Sequence, residues 1–227
     1  TYDPPTRLKV LRGAVETARI LALFCQVALL AGVALTLLAL MDVSWLLAAV
    51  LAGPVLLLAG VLAAAVAVLA KWLLVGRHRV GEHPLWSSFV WRNELADTFL
   101  EVLAARWFVP TALGTPALTT WLRALGAKVG HGVWCESYWL PEPDLIELHD
   151  GATVNPGCVV QTHLFHDRVL SMDTVTLKDG ATLGPHSVVL PAARLGRGTT
   201  VGAGSLVMRG EELPAGTWWL GNPVSPW

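Results

Sequence analysis

The amino-acid sequence predicts a transmembrane α-helical hairpin followed by an all-β domain, a left-handed parallel β-helix built from hexapeptide repeats. Two observations predict this fold: two long uncharged segments near the start of the chain, and a period of six residues in its last part. A period of six fits neither an α-helix nor an alternating strand, whereas it is typical of stacked solenoid coils. We expect the hairpin in residues 1–79, linking helices in residues 80–126 and the β-helix in residues 127–227.

The composition is more apolar than that of an ordinary soluble domain. Hydrophobic residues make up 54% of the 227 residues and charged residues 15%. The net charge of −1 gives no electrostatic reason to expect a nucleic acid partner. The cysteines show no metal-binding spacing, and we expect reduced packing roles for Cys25, Cys135 and Cys158. The first residue is Thr1 and not Met, so we expect either a removed start or a piece of a longer polypeptide.

The first two segments have the length of membrane-spanning helices. Residues 20–41 and residues 43–70 contain no charged side chain, and Asp42 separates them. Each segment reaches the roughly 20 helical residues that cross a hydrocarbon core. Basic residues lie before the first segment and after the second, and the connecting loop has none. The positive-inside rule therefore predicts a multi-pass protein of the cell membrane, in contact with lipid, with its following domain on the cytoplasmic face.

Proline and glycine divide the linking region into short pieces. Residues 86–107 have apolar side chains at helical spacing and mixed charge. This pattern predicts an amphipathic helix that lies on the membrane or on the β-helix, or an ordinary packing helix. A second short helix is expected in residues 115–125, with Gly126 as its C-terminal cap.

The period of six is strictest near the end of the chain. Small residues stand two positions before most of the repeated apolar residues, and glycine follows Leu183, Leu195 and Val201. In a triangular coil of about 18 residues, the apolar side chain points inward, the small residue fits near a corner and the glycine allows a sharp turn. The repeated apolar residues are Leu177, Leu183, Val189, Leu195, Val201, Val207, Leu213 and Trp219.

The period fails between Val160 and Leu177, which are 17 residues apart where a continuing pattern would give 18. A break in a rigid scaffold indicates a loop, and loops on such scaffolds often carry function. A histidine in this loop has the chemistry of a general base near neutral pH. The loop contains the candidate site residues His163, His166, Asp167, Arg168 and Asp173.

These motifs resemble known families. The hexads, the "QTH" of residues 161–163 and the "GNP" of residues 221–223 resemble hexapeptide-repeat acyltransferases. A longer resemblance adds the hairpin, the "GEHPLWSSFVWRNELADTF" of residues 81–99 and the "QTHLFHDRV" of residues 161–169. Over nearly the whole chain, these features resemble the C-terminal region of membrane-bound single-module nonribosomal peptide synthetases of the ε-poly-L-lysine synthetase type.

The resemblance implies the last membrane helices and the last of three tandem acyltransferase-like domains. The implied substrate is an aminoacyl thioester held by phosphopantetheine on a carrier domain outside this chain, and no metal is implied. Its acceptor is the amine of a free amino acid or of a growing amino-acid homopolymer. The implied partners are the adenylation, carrier and tandem acyltransferase-like domains of the same longer polypeptide. We also expect a pseudo-trimer or a homo-oligomer, because a single prism normally needs neighbours to complete its site. Acetyl-CoA-dependent members of the family form trimers with active sites between neighbouring prisms.

The resemblance also implies roles for individual residues. His163 matches the family's general base, and His166 is a second catalytic candidate with a structural alternative. Carboxylates near the loop would hold the remaining ammonium groups of the substrate, and Arg168 would position an anion. These carboxylates are Glu142, Asp144, Asp167 and Asp173. Asp144 is alternatively a turn residue, and Asp167 with Arg168 alternatively forms a salt bridge that shapes the loop.

Three other functions fit parts of the pattern. A membrane-anchored acetyl-CoA-dependent acetyltransferase would share the fold and His163. A catalytically silent copy of the domain would serve only as a wall of another domain's site. Zinc-dependent hydration would need His163, His166 and His186 to reach one point.

Overall fold

The computed structural model describes residues 4–227, and these residues form two compact units. The helical unit contains the chain up to residue 76 and residues 86–111. The β-helix unit contains residues 77–85 and 112–227. The region expected to hold linking helices, residues 80–126, is thus divided between the two units.

The helices and strands follow one another along the chain with only short connections. The α-helices are α1 (Thr6–Ala18), α2 (Ile20–Val43), α3 (Trp45–Leu74), α4 (Ser88–Phe99), α5 (Ala105–Trp107), α6 (Val109–Ala112) and α7 (Pro116–Leu125), with a π-helical turn at Leu100–Ala104 and a 3-10 turn at Pro143–Leu145. The strands are β1 (Gly81–Pro84), β2 (Lys128–Val129), β3 (Trp134–Cys135), β4 (Ile146–Leu148), β5 (Thr153–Val154), β6 (Val159–Val160), β7 (His163–His166), β8 (Val169–Met172), β9 (Val175–Leu177), β10 (Thr182–Leu183), β11 (Val188–Val189), β12 (Arg194–Leu195), β13 (Thr200–Val201), β14 (Leu206–Val207), β15 (Glu212–Leu213), β16 (Trp218–Leu220) and β17 (Ser225–Pro226).

The helical unit contains the predicted hairpin. Among the described residues, Thr6–Val43 and Trp45–Leu74 are long and apolar enough to cross a membrane. Most of α2 exposes leucine, valine and phenylalanine side chains, and Ser44 separates it from α3. The exposed apolar surface suits a lipid environment, because a water-soluble helix would keep its exposed face polar.

One face of α3 is lined with small residues and packs closely against other helices. Ala59, Ala63 and Ala67 are buried there, and a Cβ atom on Gly60 would lie 2.6 Å from the carbonyl oxygen of Trp107. Small side chains allow helix backbones to approach closely, which is how helices associate in lipid. The helical segments within residues 86–107 therefore pack on α3 in this unit. Their expected contact with the membrane stays a prediction.

Salt bridges join α1 and its C-terminal cap, Arg19, to α4. Glu94 accepts hydrogen bonds from Arg12 at 2.5 Å and from Arg19 at 3.0 Å. Arg12 also lies over the ring of Trp91, 5.9 Å from its centroid. The basic residues before the first apolar segment are thus partly engaged within the helical unit.

In the described part of the chain, three parallel sheets form the faces of the β-helix. Their strand orders are β2–β4–β9–β12–β15, β3–β5–β10–β13–β16 and β6–β11–β14, and β17 adds an antiparallel strand to the second sheet. The predicted fold class is confirmed: two long apolar helices precede a parallel β-helix. The left-handed sense of the coil stays a prediction.

The repeated apolar residues form the core of the β-helix. Successive coils place Leu183 beside Val201, Val189 beside Val207, and Leu195 beside Leu213. The inward side chains from Leu177 to Val207 are fully buried, and so are the small residues two positions before them. The stacked aliphatic columns and the small corner residues are therefore confirmed. At the N-terminal end, α7 begins at an N-cap formed by Thr115 and ends at Gly126, as predicted.

The glycines of the repeats play a different role from the one predicted. The sequence predicts a sharp turn at Gly184 and its equivalents, but the left-handed turn falls two residues later, for example at Gly198 with φ 62°. A Cβ atom on Gly184 would lie 2.6 Å from the backbone nitrogen of Ala203. Gly184 is therefore required by close approach of the next coil.

The break in the period is an insertion and not the loss of one residue. Leu148 pairs with Leu177 across this coil, a difference of 29 in residue number, whereas Leu177 pairs with Leu195 at a difference of 18. Eleven residues are therefore inserted between two neighbouring faces of the coil. The 17-residue interval consists of one hexad and this insertion. The spacing of apolar residues alone does not reveal the insertion.

Candidate active site

The insertion forms a β-hairpin that carries the predicted base. Strands β7 and β8 pair in antiparallel register and are joined by Asp167 and Arg168, whose φ angles are 45° and 63°. Positive φ at both turn residues matches the twist of the flanking strands, as in two-residue hairpin loops. Strand β1 adds a third antiparallel strand against β8, and the Leu85 amide donates to the Arg168 carbonyl at 2.8 Å. His163 therefore lies on a three-stranded sheet at the base of the hairpin.

The register of this sheet separates the two candidate histidines. Alternate residues of a strand point to opposite faces of the sheet. His163 is in register with the buried Met172, whereas His166 is three positions further along the strand. The side chain of His163 is 18% exposed and that of His166 is 87% exposed. The structure does not bring the two imidazoles to one point.

A buried carboxylate holds His163. Nδ1 of His163 lies 2.7 Å from Oε2 of Glu142, whose side chain is fully buried. The hydroxyl of Thr162 lies 2.6 Å from the same oxygen. Burial acts to raise the pKa of Glu142, but the hydrogen bond and charge of His163, with the Thr162 hydrogen bond, outweigh it, so the pKa is lowered. Glu142 is therefore a carboxylate near neutral pH, and Nδ1–H donates to it.

This contact determines what His163 can do. When Nδ1 carries the proton, Nε2 is the nitrogen left to accept one. The ring of Phe165 meets the imidazole edge-to-face, with centroids 5.3 Å apart. A histidine held by a buried carboxylate on one nitrogen has the arrangement of a general base.

A second buried histidine–carboxylate pair lies beside the first. Oδ2 of Asp144 accepts from the backbone amide of His78 at 2.9 Å and lies 2.8 Å from its Nδ1. The two side chains are 3% and 4% exposed. Asp144 begins the 3-10 turn together with Pro143. His78 has no sequence signal of a site, because it lies 66 residues before its partner and outside every repeat.

The remaining predicted residues lie elsewhere on the hairpin. His166 and Asp167 form an exposed pair 3.3 Å apart, and Arg168 is exposed beside them. The Asp173 amide donates to the Thr162 carbonyl, and its side chain accepts from the Thr174 amide, so Asp173 closes the hairpin base. Glu142 and Asp144 are expected from the sequence to bind substrate, and their side chains are 0% and 4% exposed.

Other reactive groups of the β-helix are buried or dispersed. Cys135 and Cys158 are free and lie in the core, which agrees with packing roles. Burial raises the pKa of the Cys135 thiol to about 11. Within residues 4–227, no group of three or more histidine, cysteine or acidic side chains is placed to hold a metal ion.

Sequence comparison relates the whole chain to part of a much longer enzyme. This chain is 33% identical over 235 residues to the delta-poly-L-ornithine synthetase of Acinetobacter baumannii. The match covers 100% of this chain and 17% of the relative, so the chain spans about one sixth of that protein. The resemblance to poly-amino-acid synthetases is therefore confirmed. No protein-family model matches the chain.

Solved structures with partial similarity are hexapeptide-repeat proteins and acyltransferases. An N-acyltransferase from Bacillus cereus, in complex with dTDP and coenzyme A, is 25% identical, with 39% of this chain and 55% of that chain covered and a TM-score of 0.35. A hexapeptide-repeat acetyltransferase from Vibrio cholerae is 16% identical, with 48% and 77% covered and a TM-score of 0.41. A maltose O-acetyltransferase from Clostridium difficile is 18% identical, with 48% and 72% covered and a TM-score of 0.39.

Proposed function

We propose, starting from the relationship of this chain to a poly-amino-acid synthetase, that its β-helix is an acyltransferase-type enzyme domain that forms amide bonds. The observation that carries this proposal is the contact of 2.7 Å between Nδ1 of His163 and the buried carboxylate of Glu142. That contact leaves Nε2 as the base. The 33% sequence identity to a synthetase, which extends over the whole chain, supports amide-bond formation as the reaction class.

The proposed reaction is aminolysis of a thioester. The neutral amine nitrogen attacks the thioester carbonyl carbon, a C–N bond forms, and the amine gives one proton to Nε2 of His163. The C–S bond then breaks, and the leaving thiolate accepts this proton from Nε2 of His163. Glu142 keeps Nδ1–H oriented and stabilises the imidazolium that exists between the two transfers. A positioned general base of this kind contributes about 10²- to 10⁴-fold to a rate.

The proposed acyl donor is an aminoacyl group on phosphopantetheine, attached to a carrier domain outside this chain. The proposed acceptor is the amine of an amino acid or of a growing homopolymer. The relative is named for the polymer of one amino acid, which supports a homopolymer as the product here. Asp167, exposed at the hairpin tip, remains a candidate to bind an ammonium group of the substrate.

We also propose the setting in which this domain works. Its partners are membrane lipid and the adenylation, carrier and tandem acyltransferase-like domains of the same longer polypeptide, in a pseudo-trimer or a homo-oligomer. The exposed apolar surfaces of α2 and α3 support contact with lipid. The flanking basic residues support a cytoplasmic location for the β-helix.

The test is replacement of His163 in the full polypeptide as its gene encodes it, purified in detergent. We expect His163→Ala to lower polymer formation by about 10²-fold or more, because the amine then has no positioned base. Loading of the carrier with amino acid, measured as the covalent thioester by mass spectrometry, should not change. His131→Ala is the matched control, because that side chain is fully exposed on the β-helix.

Two results would replace this proposal. Undiminished polymer formation by a folded His163→Ala variant would show that this domain is a catalytically silent copy. Transfer of radiolabelled acetyl groups from acetyl-CoA to a small acceptor, without any carrier domain, would instead show a membrane-anchored acetyltransferase. The two results are measured on different substrates and cannot be confused.

A further inference from the structure

The pair formed by His78 and Asp144 has no place in the reaction described so far. Both side chains are almost completely buried, so neither meets substrate. A carboxylate taken out of water is costly unless it is hydrogen-bonded. Oδ2 of Asp144 meets that requirement through the backbone amide and the ring of His78, at 2.9 and 2.8 Å, and Nε of Arg77 lies 4.0 Å from Oδ1.

The backbone fixes the position of Asp144 relative to Glu142. Only Pro143 separates the two residues, and the Leu145 amide donates to the Glu142 carbonyl at 2.9 Å. Glu142 has a φ of 44°, in the left-handed region. This conformation is unfavourable for a residue other than glycine, and it persists only where the surroundings impose it.

Gly126 supplies the space that Asp144 occupies. A Cβ atom at Gly126 would lie 2.3 Å from Oδ1 of Asp144. Gly126 ends α7, so the carboxylate is lodged against the end of that helix. Asp144 is therefore held from two sides, by His78 and by the cap of α7.

The segment that contains His78 also reaches His163 by a second route. Strand β1 follows directly, and its Gly81 is in register with Met172, which is in register with His163. The three-stranded sheet thus provides one series of backbone contacts from His78 to His163. The second series of contacts passes from His78 to Asp144, along the backbone to Glu142, and from Glu142 to His163.

We propose that His78 and Asp144 form a positioning pair that holds Glu142 against Nδ1 of His163 and thereby fixes the tautomer of the base. The inference rests on the proposed role of His163. Because the pair is buried, its loss should lower kcat and leave KM for the acyl acceptor unchanged. Partners that orient metal-bound histidines contribute about 10- to 100-fold to activity, and we expect a loss of similar size here.

The test combines rates with nitrogen NMR of the His163 ring in the full-length protein, above the pH at which imidazoles are ordinarily charged. His78→Leu removes the donor to Asp144. We expect a mixture of both His163 tautomers and a kcat at least about tenfold lower. His78→Asn places an amide donor where Nδ1 lies, and it should restore the single tautomer and most of the rate. His131→Gln, on a fully exposed side chain, should match the wild type.

A folded His78→Leu protein with a single His163 tautomer and a wild-type kcat would overturn the proposal. If His78→Leu does not fold, Asp144→Asn provides the same comparison, because it keeps the side-chain shape and removes the charge. Failure of the proposed function is recognised separately. In that case His163→Ala retains polymer formation, whereas the tautomer spectra still report whether His78 positions Glu142.

Discussion

The regular coils, residues 177–219, and the interrupted coil, residues 140–176, stack through parallel strands but differ in the side chains that they bury. The regular coils bury aliphatic side chains on every face. The interrupted coil also buries the carboxylates of Glu142 and Asp144. A buried carboxylate is unfavourable unless hydrogen bonds replace those it made to water. The difference shows that stable repeats can support one coil that carries buried charged side chains.

The largest expected effect on stability lies in the regular coils. Leu195 is completely buried between Leu177 and Leu213. Leu195→Ala should destabilise the β-helix by about 2–5 kcal/mol, because it removes buried methyl groups and leaves a cavity. Thermal unfolding followed by far-ultraviolet circular dichroism measures the loss.

The same variant separates stability from chemistry. At temperatures where Leu195→Ala remains folded, its rate of polymer formation should equal that of the wild type. Leu220→Ala, at a side chain that is 40% exposed, is the matched control and should lose much less stability. A strongly reduced rate in folded Leu195→Ala would mean that the regular coils take a direct part in the reaction.

The core of the regular coils could be predicted from the sequence more completely than the site could. Each inward residue from Leu177 to Val207 is identified by its spacing alone, because every coil repeats the same local environment. The pairing of His163 with Glu142 spans 21 residues and depends on how two successive coils stack. The sequence identifies both residues as site candidates, but it assigns Glu142 to the substrate and not to the imidazole.

The contact between His78 and Asp144 lies further beyond the reach of sequence reasoning. No periodic pattern connects them, and the register of β1 with β8 is created by the insertion itself. The interval between Val160 and Leu177 is misinterpreted for a related reason. A count of residues cannot distinguish a coil that lacks one residue from a hexad that carries a hairpin.

An intermediate effect is expected from acidification, and it should differ between the two regions. The pKa of Glu142 is lowered in the folded protein, so its contribution to stability is fully present above about pH 4.3, the ordinary value for glutamate. That contribution is lost as the pH falls through the folded pKa. Hydrogen bonds to a charged group contribute about 1.5–3 kcal/mol. Wild type should therefore exceed Glu142→Gln in unfolding temperature at pH 7, and the difference should shrink on acidification.

Glu147 is the control for this measurement. Its pKa is also lowered, chiefly by the hydrogen bond from Lys128, but this pair lies on the surface. Exposed ion pairs contribute only about 0–1 kcal/mol, so Glu147→Gln should change the unfolding temperature little at either pH. A pH-independent deficit in Glu142→Gln would show that the carboxylate acts through packing alone.

The smallest expected effect compares two equivalent turns within the regular coils. Ala192 and Gly198 occupy the same position of successive repeats, with φ angles of 64° and 62°. Ala192→Gly should stabilise the β-helix by about 1 kcal/mol, because glycine adopts this conformation without steric cost. Gly198→Ala should destabilise it by a similar amount, and its new Cβ atom would meet nothing within 4 Å. Since packing is excluded at Gly198, opposite signs in the two unfolding temperatures isolate backbone conformation as the cause. Equal signs would mean that these turns are not equivalent.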